Sequence, residues 1–496
     1  MRGARVITGA ALVLSVTGGL PLASPAFADT SIQPNLSVTL IQPGYEVPDR
    51  PLRVSASTWG DVESTYPVVT NTIDFGDGTV TVVAANSTSY PHDYAAPGTY
   101  TVTHVITDDH GRTGTTSRDI SVGSGYIPLY YPTRFLDTRI GFGAPTRAVG
   151  PEGVLKLQVT GVSGVPTDRK VTAVLLNLTA TNATDATHLT AFPGGAVPTV
   201  SNVNVTPGHD VANAVLVPVA PDGTISLFNH AGSVDLVVDI LGYFTPEPRS
   251  WALRLGTAQN IVRALDTRNG TGGLARKIGP NEAITVPVRG PGMLPEEAAI
   301  AVVNLTATEG TESSFVTATP NMSPPHTSNL NFAAGQTVAN QVTAPINPDG
   351  TITLYNHVGN VHLIADIQGY YSSSLQDASG KAVLTTGPTR LVDTRIAGQA
   401  LGAGGRLKVK VRGTTGVPDG VSAVLVNLTA TNPTQVSWLK VFTPGRSWTD
   451  ASNLNVTPGA TVPDSALVPV DSDGYIEVYN NAGSTDVIVD LQGFIV

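Results

Sequence analysis

The 496-residue chain contains no cysteine. This absence excludes disulfide bonds, thiolate metal sites and a cysteine nucleophile together. Charged residues make up only 13% of the chain, which is about half of their usual share. The stability of the fold must therefore come from packing and hydrogen bonds.

Basic runs are missing after the first few residues, and the formal net charge is −10. Proteins that bind phosphate backbones need clustered Lys and Arg, so we expect no nucleic-acid partner. Glycine (51) and proline (37) are abundant instead, with short runs rich in Thr and Val between them. This composition is typical of all-β proteins with many turns.

The first 28 residues are typical of a cleavable signal peptide. Arg2 and Arg5 precede an apolar stretch that ends at the small-x-small triplet of residues 26–28. Gly and Pro interrupt this stretch before it reaches the roughly 20 apolar residues of a membrane anchor. No later segment is long and apolar enough to span a membrane, and the final "VDLQGFIV" carries no wall-sorting tail. We therefore expect a secreted, extracellular protein without membrane contact after cleavage, released or held noncovalently at the cell surface.

Residues 36–122 show short strands with period-2 alternation, separated by turns, which favours a sandwich of two small sheets. The phrases "IDFGDG" and "YPHDYAAPGTYTVTHVITDDHGRT" resemble the PKD domain, an immunoglobulin-like module. The family usually has Trp where this chain has Ile73, and an apolar β-branched residue can fill the same core position. The resemblance implies a spacer or a contact surface for protein or carbohydrate, rarely a catalyst.

Asp74 and Asp77 lie in the Gly-rich turn of this segment. Two carboxylates without further oxygen ligands more often accept hydrogen bonds from turn N–H groups than bind calcium. We expect such capping and assign no metal site.

The remainder of the chain repeats itself three times. The phrases "RFLDTR", "RALDTR" and "RLVDTR" each precede an "NLTAT" strand, an "SN-x-N" phrase and a closing "GYF", "GYY" or "GFI". We name the copies repeat one (124–247), repeat two (248–373) and repeat three (380–496). They resemble repeat domains of unassigned function in secreted actinobacterial proteins, a resemblance that implies no activity.

Short apolar strands and Asp-Gly turns predict a β-sandwich-like fold for each repeat. The whole chain is thus predicted to be all-β, with four tandem β-sandwich-like domains after the leader. Short polar connectors between the repeats favour separate domains on a semi-flexible string. We expect a monomer.

Polar residues recur at the same places in every repeat, and two hypotheses account for them. In the first, Arg and Asp form a buried structural clamp, because a buried carboxylate needs a partner and the guanidinium fork can supply two hydrogen bonds. In the second, the residues form a polar cleft for a sugar or a peptide. The candidates are Arg134, Asp137, Arg139, Asn229, Asp239, Arg263, Asp266, Arg268, Asn356, Asp366, Arg390, Asp393, Arg395, Asn480 and Asp490.

Signatures of catalysis are missing. The sequence has no Gly-x-Ser-x-Gly elbow, no His-Glu-x-x-His motif and no phosphate-binding loop. His230 and His357 have Asn481 as their counterpart in repeat three, which argues against a shared catalytic or metal role. The one catalytic alternative is a glycan hydrolase in which Asp137 and Asp239 form a carboxylate pair. We expect no enzyme and no cofactor.

Two noncatalytic functions remain open. The first is binding or adhesion to extracellular polysaccharide, cell wall or a surface protein through three weak sites, which would gain avidity on a repetitive ligand. The second is a structural spacer without a specific ligand.

Overall fold

The computed structural model describes residues 34, 36–40, 53–58, 66–83, 90–94, 98–122, 124–167, 171–245, 254–319, 327–372, 383–384, 387–414, 417, 420–446 and 451–495. The predicted signal peptide lies outside these residues. The regular secondary structure of the described part is almost entirely antiparallel β-sheet, which confirms the all-β prediction. Within it, no helix is long and apolar enough to cross a membrane.

The N-terminal segment forms two sheets around a small core. Their strand orders are β1-β2-β5 and β4-β3-β6-β7. Ile73 is fully buried beside Phe75 and Tyr94, so this apolar residue occupies the core. The strands are β1 (Ser37–Leu40), β2 (Arg53–Ser57), β3 (Val68–Asp74), β4 (Val80–Val82), β5 (Tyr90–Asp93), β6 (Gly98–Asp108) and β7 (Thr113–Val122).

Repeat one contains two four-stranded sheets. The inner sheet has the order β13-β10-β15-β8 and the outer sheet has the order β12-β11-β14-β9. The strands are β8 (Gly125–Asp137), β9 (Gly153–Gln158), β10 (Ala173–Thr181), β11 (Thr187–Phe192), β12 (Val203–Val205), β13 (Val211–Pro218), β14 (Thr224–Asn229) and β15 (Asp235–Thr245).

Repeat two has the same arrangement. Its inner sheet has the order β16-β23-β18-β21 and its outer sheet the order β17-β22-β19-β20. The strands are β16 (Arg254–Asp266), β17 (Glu282–Pro287), β18 (Ala298–Thr308), β19 (Ser314–Thr319), β20 (Leu330–Phe332), β21 (Val338–Pro345), β22 (Thr351–Asn356) and β23 (His362–Ser372).

In repeat three the first inner strand is split into two pieces, β24 and β25, which both pair with β32. The inner order is β24-β32-β27-β30 and the outer order is β26-β31-β28-β29. The elements are β24 (Val383–Leu384), β25 (Thr389–Asp393), α1 (Thr394–Ala397), β26 (Arg406–Lys410), β27 (Ala423–Thr431), β28 (Ser437–Phe442), β29 (Leu454–Val456), β30 (Thr461–Pro469), β31 (Tyr475–Asn480) and β32 (Asp486–Ile495).

The inner sheets are buried on both faces. In β10, Val174 and Leu176 face the core between the two sheets of repeat one, whereas Ala173 and Leu175 face a second apolar cluster. Burial on both faces explains why this strand reads as a continuous apolar run. The second cluster, which we name the axial core, joins all three repeats: Tyr126, Ala173, Leu175, Leu216, Leu241, Phe244, Leu255, Ile300, Val302, Tyr371, Ala423, Leu425, Leu467 and Ile495.

The axial core contradicts the expectation of separate domains on a string. Tyr126 of repeat one and Tyr371 of repeat two place their ring centroids 4.4 Å apart. The edge strands β13, β21 and β30 of the three inner sheets pack against one another. The polar connectors suggested independence because they resemble linkers, but the apolar faces of the inner sheets are buried only when the repeats assemble.

Glycine in the closing phrase of repeat two permits one of these close approaches. A Cβ at Gly369 would lie 2.5 Å from the carbonyl oxygen of Gly256 and 2.5 Å from a methyl group of Leu467 in repeat three. No larger residue fits there without moving backbone.

Candidate functional site

The Arg-x-x-Asp-Thr-Arg phrase of repeat one forms a network of two arginines and two carboxylates. Arg134 donates from Nε to Oδ1 of Asp239 over 2.5 Å and from Nη1 to Oδ2 of Asp137 over 3.0 Å. Arg139 donates to both oxygens of Asp137, over 2.9 Å from Nε and 2.7 Å from Nη2. The phrase ends β8, and Asp239 lies on the adjacent strand β15, so backbone pairing places the groups together. We name this network the clamp.

Repeats two and three contain the same clamp. In repeat two, Arg263 donates to both oxygens of Asp366, over 2.9 and 3.1 Å. Arg268 donates to both oxygens of Asp266. In repeat three, the corresponding donors and acceptors are Arg390 with Asp490, at 2.8 and 3.2 Å, and Arg395 with Asp393, at 2.9 and 2.6 Å.

The two carboxylates of one clamp have different electrostatics. The Arg139 guanidinium holds the pKa of Asp137 below its ordinary value. Burial raises the pKa of Asp239, and the Arg134 guanidinium and the backbone N–H of Ser328 oppose this effect. Burial raises the pKa values of Asp366 and Asp490 in the same way. Both acids of the clamp are almost fully buried and share Arg134 as a hydrogen-bond donor, so Asp137 and Asp239 do not flank an open cleft.

Each clamp lies at a junction with another repeat. Asp239 of repeat one faces Ser328 of repeat two, and Asp490 of repeat three faces Ser201 of repeat one. The Asn of each "NLTAT" strand lies opposite the clamp acid on the neighbouring strand and donates to the same serine segment. These hydrogen bonds are 2.6 Å long and join Asn177 to Ser328, Asn304 to Ser452, and Asn427 to Ser201.

The order of these contacts is cyclic. Repeat one binds the "SN" segment of repeat two, repeat two binds that of repeat three, and repeat three binds that of repeat one. The three repeats thus close into a ring. Sequence reasoning placed the repeated residues in separate domains, whereas the structure brings most of them together at the junctions.

A second set of junction residues lies on the strands around the axis. Asn213, Asn340 and Asp464 occupy equivalent positions on β13, β21 and β30, and each is fully buried. Each accepts a backbone N–H from a different repeat, namely that of Ser465, Ala214 and Gln341 respectively, over 3.0 to 3.1 Å. Sequence reasoning missed these residues. The aligned phrases "VANAV", "VANQV" and "VPDSA" hold the signal, but the third copy has Asp where the others have Asn.

The candidate residues Asn229, Asn356 and Asn480 lie away from the clamps. Asn229 is fully buried and donates to the carbonyl oxygens of Val149, Gly150 and Gly232, while its Oδ1 accepts from Thr187. Asn356 and Asn480 make the equivalent contacts in their repeats. These amides hold turns together and have no surface to offer a ligand.

The turn carboxylates of the N-terminal segment accept backbone N–H groups. Asp74 accepts from Gly76 over 2.8 Å, and Asp77 accepts from Thr79 over 3.0 Å and contacts His92 over 2.8 Å. The described residues contain no cluster of three or more His, Asp or Glu side chains arranged to hold a metal ion.

A cavity of about 790 Å³ opens where the three repeats meet. Equivalent loops, which precede β13, β21 and β30, contribute to its wall. The polar lining includes Asn204 of repeat one, Asn331 of repeat two and Asn455 of repeat three, together with Trp438. Trp438 lies directly opposite Asn455 across the β28–β29 pair. We name this feature the axial cavity.

The fold and the junctions define an all-β multidomain protein. The model of the PKD domain family matches residues 48–122, so the chain carries a PKD domain there. The match begins after β1, which nevertheless pairs with β2 in the same sheet.

Among solved structures, the chain is similar to the PKD1 domain of Vibrio anguillarum Epp, with 26% identity, 18% of this chain and 92% of that one covered, and a TM-score of 0.15. The PKD1 domain of the Vibrio cholerae metalloprotease PrtV has 21% identity, covers 18% of this chain and 95% of its own, and has a TM-score of 0.15. A carbohydrate-binding module of the beta-sandwich superfamily has 12% identity over 44% of this chain and 98% of its own, with a TM-score of 0.17. No curated protein matches the chain.

Proposed function

We propose that the chain is a secreted, noncatalytic binding protein whose three repeats form one head, and that the axial cavity receives a segment of extracellular or cell-wall polysaccharide. The observation that carries this proposal is the convergence of equivalent loops from all three repeats on a single cavity. Its volume of about 790 Å³ lies in the range of small-molecule sites, roughly 300–1,000 Å³.

The chemistry of the lining favours a sugar. Asn204, Asn331 and Asn455 offer amide donors and acceptors, which suit hydroxyl groups. Trp438 adds an apolar ring and an N–H donor next to Asn455.

The same lining disfavours hydrolysis. Glycosidases generally use two carboxyl groups that flank the scissile bond. Asp210 is the one carboxylate among the described residues that line the axial cavity. The clamp acids are held by arginines at the junctions instead.

The structural spacer remains the second candidate. It is favoured by the position of the repeated residues, since the clamp groups and the turn asparagines are used in hydrogen bonds within the protein. A protein without a ligand would need the same residues for assembly.

Co-sedimentation of the chain from Asp29 with insoluble polysaccharides and purified cell wall separates the two candidates. Binding should fall at least tenfold in Trp438→Ala. Phe315→Ala is the matched control, because Phe315 occupies the equivalent position opposite Asn331 but does not line the axial cavity. Retention on no glycan or wall preparation would favour the spacer, and equal loss in both variants would remove the axial cavity from the proposal.

A further inference from the structure

Asn213 on β13, Asn340 on β21 and Asp464 on β30 are equivalent buried residues at the three junctions. The two asparagines donate hydrogen bonds there, whereas one oxygen of Asp464 has no partner within the described residues. Asn213 donates from Nδ2 to Oδ1 of Asn427 over 2.8 Å and to the carbonyl oxygen of Asn202 over 2.7 Å. Asn340 repeats this arrangement with Asn177 over 3.1 Å and the carbonyl oxygen of Asn329 over 2.6 Å. In both cases the amide NH₂ group bridges two acceptors.

The third position has Asp464, which has no NH₂ group. Because the repeats are equivalent, we expect its Oδ2 at the place of the bridging nitrogen, opposite Oδ1 of Asn304. These two oxygens, Asp464 Oδ2 and Asn304 Oδ1, are both buried and have no hydrogen-bond partner within the described residues. Two facing acceptors repel each other and leave both groups unsatisfied, which is costly in a buried site.

We propose that Asp464 is a neutral carboxylic acid at neutral pH and that its proton closes the third junction by an O–H···O hydrogen bond to Oδ1 of Asn304. A single proton removes the repulsion and gives each orphaned oxygen a partner. The three junctions are then closed by the side-chain amides of Asn213 and Asn340 and by the carboxylic acid of Asp464. This inference concerns the assembly of the repeats and does not depend on a ligand in the axial cavity.

The surroundings support a neutral acid. Burial raises the pKa of Asp464 well above its ordinary value, and the backbone N–H groups of Gln341 and Ser465 oppose this only in part. Among the strands packed against β30, the sequences of β12, β13, β21, β27 and β29 carry no charged residue. Three other strands pack against β30 and carry titratable or charged residues. These are Arg254, Arg263 and Asp266 on β16; His362, Asp366, Tyr370 and Tyr371 on β23; and Lys440 on β28.

None of these charges contributes to the pKa shift of Asp464. Arg263 is engaged by its own clamp acids, Asp366 and Asp266. A cation that would stabilise an ionised Asp464 is therefore not supplied by these strands.

The pH dependence has a definite sign. Because the folded state holds the proton more tightly than the unfolded chain, the stabilisation is fully present below the unfolded pKa of about 3.9 and is lost as pH rises through the folded pKa. The ring should therefore weaken on the alkaline side. In Asp464→Asn, an NH₂ group replaces the proton and can donate to Oδ1 of Asn304 at any pH.

The test compares thermal unfolding of the full chain with that of Asp464→Asn across the pH range. We expect the variant to have the higher Tm at pH 7, with the difference growing toward alkaline pH. Asp473→Asn is the matched control, because Asp473 is an exposed acid in the same repeat and should not change the pH profile. A lower Tm for Asp464→Asn at pH 7, or a pH profile parallel to the wild type, would overturn the proposal.

Infrared difference spectroscopy gives a readout that does not depend on stability. The wild-type protein at pH 7 should show the C=O stretching band of a protonated carboxyl group, and Asp464→Asn should lack this band. Identical spectra in that region for the two proteins would contradict the neutral acid.

Discussion

The PKD domain and the ring of repeats are built from the same kind of sheet but bury it differently. The core of the PKD domain lies between its own two sheets, and the β4–β3 edge leaves Val69, Val80 and Val82 exposed. Each repeat has such a core of its own and also contributes to the axial core. A sequence repeated three times can therefore encode one assembled body rather than three independent ones.

The polar residues show the same difference between contacts within one domain and contacts between repeats. In the PKD domain, Asp74 and Asp77 accept hydrogen bonds from N–H groups of their own turn. In the ring, the Asn of each "NLTAT" strand donates to another repeat. Changes in the junctions should thus affect association between repeats, whereas changes in the PKD domain should remain local.

The largest effect is expected from Arg134→Ala. This change leaves Asp239 buried without its guanidinium partner, which typically costs about 3–5 kcal/mol. Denaturant unfolding of the full chain measures the loss. Lys156→Ala breaks an exposed ion pair with Asp222 and serves as the control, with no measurable change expected. Similar unfolding curves for both variants would show that the clamp does not stabilise the folded protein.

A smaller loss is expected from Asn177→Ala. The variant removes the hydrogen bond to Ser328 and takes from Asn340 one of its two acceptors, so we expect a destabilisation of about 1–3 kcal/mol. Hydrogen exchange should become faster in β20 and β21 of repeat two, although the substitution is in repeat one. Faster exchange confined to repeat one would contradict the cross-repeat contact.

The smallest effect is expected in the PKD domain, from His92→Ala. His92 stacks on Phe75 at 4.2 Å and contacts Asp77, so its loss should cost about 1 kcal/mol. Exchange rates in the three repeats should not change. Destabilisation that spreads into the ring would show that the two regions are coupled.

The pH response of this site has the opposite sign to that of Asp464. Although burial raises the pKa of Asp77, the contacts with His92 and the hydrogen bonds from Thr79 together outweigh it, and the net pKa is lowered. The resulting stabilisation is present above the unfolded pKa and is lost as pH falls through the folded pKa. In His92→Ala, the free energy of unfolding should therefore fall less steeply as the pH is lowered, which unfolding curves at a series of pH values would measure.

The sequence allows the strands, the PKD domain and the partners within a clamp to be predicted, because these depend on local patterns. Period-2 alternation indicates half-buried strands, and a buried Asp239 requires an arginine. The ring depends on which apolar faces meet, and a continuous apolar run such as β10 does not specify its second partner. The bridging role of Asn213 and Asn340 was hidden because Asp464 breaks the pattern that would have aligned them.

The central claim is that repeat three closes back onto repeat one. A protease site placed in the connector "SSSLQDASG" between repeats two and three allows a direct test after complete cleavage. The ring predicts that the repeat-three fragment co-elutes with the rest of the chain in size-exclusion chromatography at neutral pH. Elution of repeat three as a separate folded fragment would contradict the ring and restore the arrangement of domains on a string.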